Sequence, residues 1–241
     1  MGRAFEYRKA RKMKRWAGMA KAFTKVGREI NIAIKEGGPD PDYNPRLRLA
    51  IANAKAVNMP KANVDAAIKR ATDKDATNYD EVTFEGYGPH GVAILVEATS
   101  DNNNRTVANI RHIFSKYGGS MGVNGSVDYM FSRRGQFRVK AEAVPGDLEE
   151  LELELIDAGL DRIEQEEDEI VFYTAFEDFG SFQQELERRK IEVENAELVR
   201  IPSHTKQLTD KEAEAVITLI DMLEEDDDVA NVFHTMDEGE G

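Results

Sequence analysis

Between residues 20 and 71 the apolar positions recur at three- and four-residue spacing. Phe23, Val26, Ile30, Ala33 and Ile34 form one stripe, which predicts a helix over residues 20–36. Gly37, Gly38 and Pro39 supply its stop, because glycine tolerates the left-handed C-terminal position and proline cannot continue a helix. Asn44 as N-cap and Pro45 at the first helical position open a second helix, with Leu47, Ile51, Ala54 and Val57 inward. Asn58-Met59-Pro60 breaks it. A third helix over residues 61–71 turns Val64, Ala67, Ile68 and Ala71 inward. Three short helices so close in sequence predict a small bundle.

From Glu81 the period changes to two. "EVTFEGYGPHGVAILVEATS" predicts two strands around a turn rich in Gly and Pro. "NRTVANIRHIFSKYGG" predicts a helix that turns Val107, Ile110, Phe114 and Tyr117 inward and ends at Gly118-Gly119; Arg105, Asn109, His112 and Lys116 fall on its other side. Val127, Tyr129 and Phe131 then alternate, Arg133-Arg134-Gly135 reads as a turn, and Phe137 and Val139 resume the alternation.

The next segment predicts, in order, a strand near 136–142, a helix with Leu148, Leu151, Leu155 and Ala158 on one face, and the strands "LDRIEQEE" and "EIVFYTAF". A helix with Phe179, Phe182 and Leu186 follows, then the strand "VENAELVRI". That is a β-α-β-β-α-β series, the ferredoxin-like order, which speaks to fold and not to activity. After it, Thr209 and Glu212 make a capping box before a stripe of Ala213, Val216, Ile220 and Leu223, and "VANVFHT" predicts a last strand. These last elements have no place in a completed ferredoxin-like unit. They are expected to return to the preceding α/β domain, with the ferredoxin-like unit inserted in it.

Composition narrows the chemistry. The 241 residues contain no cysteine, which excludes disulfides, thiolate metal sites and Cys nucleophiles and suits a reducing cytoplasm. His90, His112, His204 and His234 lie far apart in sequence and read as surface or packing residues. No apolar run is long enough for a membrane span, and no apolar stretch follows the basic start as a secretory signal requires. An organellar transit peptide is disfavoured by the lack of Ser in that start.

Charge is divided unevenly. Residues 1–70 hold 17 Lys and Arg against 6 Asp and Glu, a net of +11. The remainder holds 15 against 40, a net of -25, and together these give -14. Such polarity suggests a nucleic-acid-facing segment on a body that repels nucleic acid elsewhere. The positive charge is densest in "RAFEYRKARKMKRW", where Arg3, Arg8, Lys9, Arg11, Lys12, Lys14 and Arg15 suit phosphate contacts and Phe5, Tyr7 and Trp16 suit stacking on unpaired bases. The alternative is a solvated tail. Lys21, Lys25, Arg28, Arg46, Arg48, Lys55, Lys61, Lys69 and Arg70 extend the basic character into the helices. The second and third helices resemble a helix-turn-helix only in being short and closely joined, and no base-reading helix is evident. Shape and phosphate recognition, or single-stranded loops, are expected.

Two other motifs invite a chemical reading. "GYGPHG" has glycines that would let N–H groups approach a phosphate, yet it lacks P-loop spacing and the Lys-Ser/Thr ending, so a tight turn is expected. "SDNNNRT" places Asp101, Asn102, Asn104, Arg105 and Thr106 at a helix mouth. Asp101 or Asn102 is the expected N-cap, with a contact role led by Arg105 as the alternative. The acidic run at 224–228 lacks EF-hand spacing and is read as a solvated surface. No catalytic, metal or cofactor-binding set is identified. A metal-dependent phosphodiesterase built from the middle acids and "SDNNNRT" is the rival from another class.

Residues 84–131, "FEGYGPHGVAILVEATSDNNNRTVANIRHIFSKYGGSMGVNGSVDYMF", closely resemble the YebC/PmpR family, as do "EGGPDPDYNPRLRLAIANAKAVNMPKANVDAAIKRA" at 36–71 and the order of elements. The resemblance covers nearly the whole chain. It rests on Tyr87-Gly88-Pro89 with Gly91, Ser100-Asp101-Asn102 with Asn104-Arg105-Thr106, and Gly118-Gly119. It implies an α+β fold in three parts: an N-terminal three-helix bundle, an α/β middle domain, and a ferredoxin-like domain inserted in the middle one. The corresponding boundaries are a basic arm at 1–18, a helical domain at 19–78, a middle domain at 79–135 plus 204–241, and the insertion at 136–203. Family members are described as probable transcriptional regulators that bind DNA. Others are translational activators, and bacterial relatives are tied to stalled ribosomes; no enzyme activity is attributed to them. Many begin with a Gly-His-Ser-Lys-Trp run that this chain lacks, so the basic character carries over and the contacts of that run do not. The resemblance thus implies a non-enzymatic, cytoplasmic nucleic-acid-binding regulator. Its target would be DNA, or alternatively ribosomal RNA or tRNA, with protein partners on the acidic domains and no cofactor.

Overall fold

The computed structural model describes residues 19–144, 146–165 and 168–237; the expected basic arm, 1–18, lies outside them. Among the described residues are seven α-helices and two four-stranded sheets, a mixed α+β architecture. The helices are α1 (Met19–Gly37), α2 (Pro45–Ala56), α3 (Lys61–Thr72), α4 (Asn103–Lys116), α5 (Leu148–Ile156), α6 (Phe179–Arg188) and α7 (Asp210–Glu224). The strands are β1 (Asp80–Tyr87), β2 (Ala93–Ser100), β3 (Ser120–Met121), β4 (Phe131–Lys140), β5 (Leu160–Gln165), β6 (Glu169–Ala175), β7 (Val193–Pro202) and β8 (Val229–His234). No helix among the described residues is long and apolar enough to cross a membrane.

The chain forms two compact units. Among the described residues, one comprises residues 19–28, 74–132 and 202–237, the other residues 29–73 and 133–201. In the first, the sheet order is β3-β1-β2-β8. β1 and β2 pair antiparallel from Asp80 opposite Ser100 to Tyr87 opposite Ala93, and β8 lies antiparallel along β2 with an irregularity between Glu97 and Ala98. Ile94, Val96 and Ala98 of β2 are buried with Ile110 and Phe114 of α4 and with Val216, Leu219, Ile220 and Leu223 of α7. The alternate β2 residues Ala93 and Leu95 join Val127 and Phe131 in a second apolar cluster. Both faces of β2 are therefore covered, which accounts for its continuous apolar run. The Thr209–Glu212 capping box opens α7, as the spacing predicts.

"GYGPHG" is the expected turn. Two successive tight turns, Gly91 N–H to the Gly88 carbonyl at 3.2 Å and Val92 N–H to the Pro89 carbonyl at 3.4 Å, reverse the chain. Gly88 N–H donates across the loop to the Val92 carbonyl at 2.8 Å, and His90 takes the left-handed conformation at φ 59°. Gly86 and Gly119 are needed for close approach instead. A Cβ on Gly86 would stand 2.6 Å from the Ser120 carbonyl oxygen, and one on Gly119 would stand 2.7 Å from that of Tyr87. Only hydrogen fits where β3 closes on β1.

In the second unit the elements from β4 to β7 follow the β-α-β-β-α-β series, with strand order β5-β6-β4-β7. Phe137, Phe172, Phe182, Leu151, Leu155 and Leu186 fill the core between sheet and helices. The Phe137 and Phe179 rings stack with centroids 4.7 Å apart. Asn44 caps α2 as expected: its Oδ1 accepts the Leu47 N–H at 3.0 Å, while its Nδ2 donates to the carbonyls of Ala33 and Gly38.

Two local expectations are corrected. Arg133-Arg134-Gly135 is not a turn, because β4 runs unbroken through it. Arg134 instead reaches Asp161 at 3.2 Å, and the Arg133 guanidinium sits 3.9 Å from the centroid of the Phe176 ring. Gly135 leaves the space that the Phe179 ring and the Thr174 hydroxyl occupy. The alternation through Val127 and Tyr129 is likewise not a strand, since β4 begins only at Phe131. Asp128–Met130 form a 3-10 turn that buries Val127 and leaves Tyr129 73% exposed.

Candidate nucleic-acid interface

Arg3, Arg8, Lys9, Arg11, Lys12, Lys14, Arg15 and Trp16 lie outside the described residues, and the other candidate cations sit on the helices and at the α4 mouth. Lys21, Lys25 and Arg28 of α1 turn toward the fold, while Lys35 near its end is exposed. Lys21 Nζ donates to the Glu224 and Glu225 carbonyls, and Lys25 Nζ donates to the Ala230 carbonyl at 2.9 Å. Arg28 Nη1 donates to the carbonyls of Thr99 at 2.6 Å and Asp227 at 2.8 Å. Three of these acceptors, on Glu224, Glu225 and Asp227, lie at the C-terminus of α7 and in the turn after it, where unpaired helix carbonyls concentrate partial negative charge, while Thr99 and Ala230 lie in β2 and β8.

Asp228 is the centre of this cluster. Only 4% exposed, it lies at the end of the acidic run. Its Oδ1 is 3.1 Å from Arg28 Nη1, and its Oδ2 accepts from Thr106 Oγ1 at 2.6 Å and Arg105 Nη2 at 2.8 Å, with Ser100 Oγ at 3.3 Å. Burial pushes this carboxyl upward, but the Thr106 hydroxyl and the Arg105 and Arg28 guanidinium groups outweigh it, so Asp228 stays below its usual range. The expectation of a uniformly solvated acidic run at 224–228 is thereby corrected. Asp226 also faces inward, accepting from Asn109 Nδ2 at 3.2 Å.

"SDNNNRT" is mainly the other half of the same network. Asn102 is the N-cap of α4, accepting the Arg105 N–H at 3.1 Å. Arg105 bridges Asp101, at 2.8 Å, to Asp228, and hydrogen bonds to these two acids hold its guanidinium charged. Thr106 is fully buried and cannot touch a ligand, which corrects its place in the candidate contact set. Asp101, Asn102, Asn104 and Arg105 remain at the surface.

The remaining helical candidates divide in two. Arg46 pairs with Glu29 and Glu36, each at 2.8 Å. Arg48 donates to the Pro41 and Asp42 carbonyls at 2.7 and 3.1 Å and lies 3.9 Å from Glu187. Lys69 and Arg70, in the last turn of α3, are exposed and have no acidic partner among the described residues; Arg70 donates only to the Ala66 carbonyl, at 3.3 Å.

A buried acid that sequence reasoning missed shapes another surface. Glu85, 5% exposed in β1, accepts the N–H groups of Gly125, Val127 and Asp128 at 2.6, 2.7 and 2.8 Å. It folds the 122–128 loop over itself and leaves Val123 78% exposed at the tip. An acid at an inward position of a strand was the available signal, since a buried carboxylate demands donors. Among the described residues no three His, Asp or Glu side chains are grouped to share a metal ion.

Comparison with known proteins places this architecture. A family model described as "TACO1/YebC protein N-terminal domain" matches residues 3–74, and one described as "TACO1/YebC second and third domain" matches residues 79–236. The chain is 58% identical over 238 residues to a "Probable transcriptional regulatory protein" of Flavobacterium psychrophilum, covering 99% of this chain and 100% of that one. It is 54% identical to a protein of the same description from Porphyromonas gingivalis, over 100% of this chain and 99% of that one. A solved structure, a conserved hypothetical protein of Aquifex aeolicus, superposes with a TM-score of 0.79 at 39% identity, covering 90% of each chain. By these matches, which span both the helical and the sheet-forming regions, the chain belongs to the TACO1/YebC family.

Proposed function

We propose that this protein is a non-enzymatic nucleic-acid-binding regulator of gene expression; its relatives' name, "Probable transcriptional regulatory protein", supports the regulatory part of that reading. The observation that carries the reading is the density of cations in residues 3–16, with seven Lys and Arg against one acid on a chain of net charge -14. The internal pairing of Lys21, Lys25, Arg28, Arg46 and Arg48 sharpens it, because those cations already have partners within the fold. The phosphate grip then falls to the arm, with Lys69 and Arg70 as helical support. In this reading residues 19–78 form the helical part and 136–203 a ferredoxin-like insertion, and the acidic surfaces repel stray nucleic acid or meet protein partners.

The phosphodiesterase alternative is disfavoured by the network itself, since Asp228, the buried acid beside "SDNNNRT", is saturated by Arg, Thr and Ser donors. Phosphate recognition serves promoter DNA and ribosomal or transfer RNA alike. Cross-linking in cells followed by sequencing of both DNA and RNA separates them. Enrichment of promoter DNA supports a transcriptional role, enrichment of ribosomal RNA or tRNA a translational one, and enrichment of neither contradicts the proposal.

A further inference from the structure

The first unit is strongly acidic away from its N-terminal helix. Over residues 74–132 and 202–241 it holds 6 Lys and Arg against 19 Asp and Glu. Three of the six, Arg105, Arg111 and Lys116, lie on α4, whose 14 residues include no acid at all. A cation-only helix in such surroundings is not what a solvated face needs for solubility, which mixed or purely acidic charge already supplies.

The structure sorts the polar side chains of α4 into two sets. Arg105 and Asn109 are drawn to Asp228 and Asp226. Arg111, His112, Ser115 and Lys116 are all exposed, and none has an acidic partner among the described residues. Ala108, also exposed, keeps the face low between them. Arg111 and Ser115, and His112 and Lys116, are each four residues apart, so the four side chains form one strip about 140° wide on the outside of the helix.

We propose that this outer face of α4, led by Arg111 and Lys116 with His112 and Ser115 between them, is a second phosphate-binding surface for nucleic acid, separate from the N-terminal arm. The inference rests on the nucleic-acid reading above. It gives the acidic unit one place where a polyanion meets attraction instead of repulsion, and so fixes the orientation in which the unit approaches its target.

The test uses the full chain, the Arg111→Gln/Lys116→Gln variant and a charge-matched control, Lys74→Gln/Lys211→Gln, whose positions are also exposed in the first unit. Fluorescence anisotropy over a range of KCl concentrations measures binding to a short DNA duplex and to an RNA hairpin with the same stem sequence. The α4 variant should lower the log-log salt slope by about 2 on the preferred probe, and the control should leave it unchanged. Among the described residues neither pair has an acidic partner, and the one ring contact, Lys116 Nζ 5.3 Å from the Tyr117 centroid, lies at the helix surface, so thermal unfolding should be nearly the same for all three proteins. If the unaltered chain binds and the α4 variant keeps its slope, or the control loses as much, the α4 site is overturned while the arm-based reading stands. If the unaltered chain binds neither probe, both fail together.

Discussion

Arg28 and Asp228, 200 positions apart in sequence, meet as a buried ion pair with Nη1 3.1 Å from Oδ1. The side chains are 15% and 4% exposed. Through this pair the first basic helix is anchored to the acidic turn, and Thr106 and Arg105, at the mouth of α4, complete the shell of donors around the Asp228 carboxylate. Removing one member of a buried pair strands the other without solvation. Asp228→Ala should therefore lower stability by about 3 kcal/mol, the low end for such pairs, because Arg105 is half exposed and can regain water. Urea unfolding of the variant measures this; a loss below about 1 kcal/mol would refute the anchoring role.

The same carboxyl sets a pH dependence. Unfolded, it titrates near 4; folded, it titrates lower, so between the two values the unfolded chain binds more protons. Its contribution is complete above the unfolded value and is lost as pH falls through the folded one. Glu185, brought to about 2 by hydrogen bonds from Arg188 and Arg189, acts in the same window. The stability gap between the unaltered chain and Asp228→Asn should be constant above about pH 5 and should narrow below pH 4. Unfolding midpoints at a series of pH values check it, and a gap that does not change with acidity would count against the network.

Glu85 should behave as a clasp for the 122–128 loop. Glu85→Gln keeps the shape but replaces charge-assisted acceptance of three N–H groups with a single neutral oxygen, at a cost of about 2 kcal/mol. Hydrogen exchange should accelerate at Gly125, Val127 and Asp128 ahead of the β1–β2 ladder. Acceleration spread evenly over the sheet would show a global effect instead.

In the second unit Asn53 of α2 stands in for a strand. Its Nδ2 donates to the Ala196 carbonyl at 2.8 Å and its Oδ1 accepts the Ala196 N–H at 3.1 Å, satisfying both backbone groups of one β7 residue. Asn53→Ala should cost about 1–3 kcal/mol by leaving that pair without partners. Asn53→Asp keeps only the acceptor and should recover part of the loss; equal unfolding midpoints for the Ala variant and the unaltered chain would exclude the bridge.

The legible parts of the chain were those written in local pattern. The stripes of α1 to α7, the Asn44 cap and the Thr209–Glu212 box follow from residues within a turn or two of each other. The misread parts depend on partners far away. Gly135 signals a turn locally, but the rings that pack across β4 make it a strand position. Asp228 looks like one of five solvated acids until Arg28 and Thr106 arrive from elsewhere in the chain. Lys21, Lys25 and Arg28 look like phosphate ligands for the same reason, since their carbonyl acceptors lie about 70 to 200 residues onward. Charge polarity was visible from composition; which cations are already paired was not.

The central claim is that residues 3–16 grip phosphates, and deletion of residues 1–16 tests it most directly. With about five arm charges on the phosphates of duplex DNA, the log-log salt slope of binding should fall by roughly 4–5 units in the deleted chain, with weaker affinity at every salt concentration. A deleted chain that binds with an unchanged slope would contradict the account.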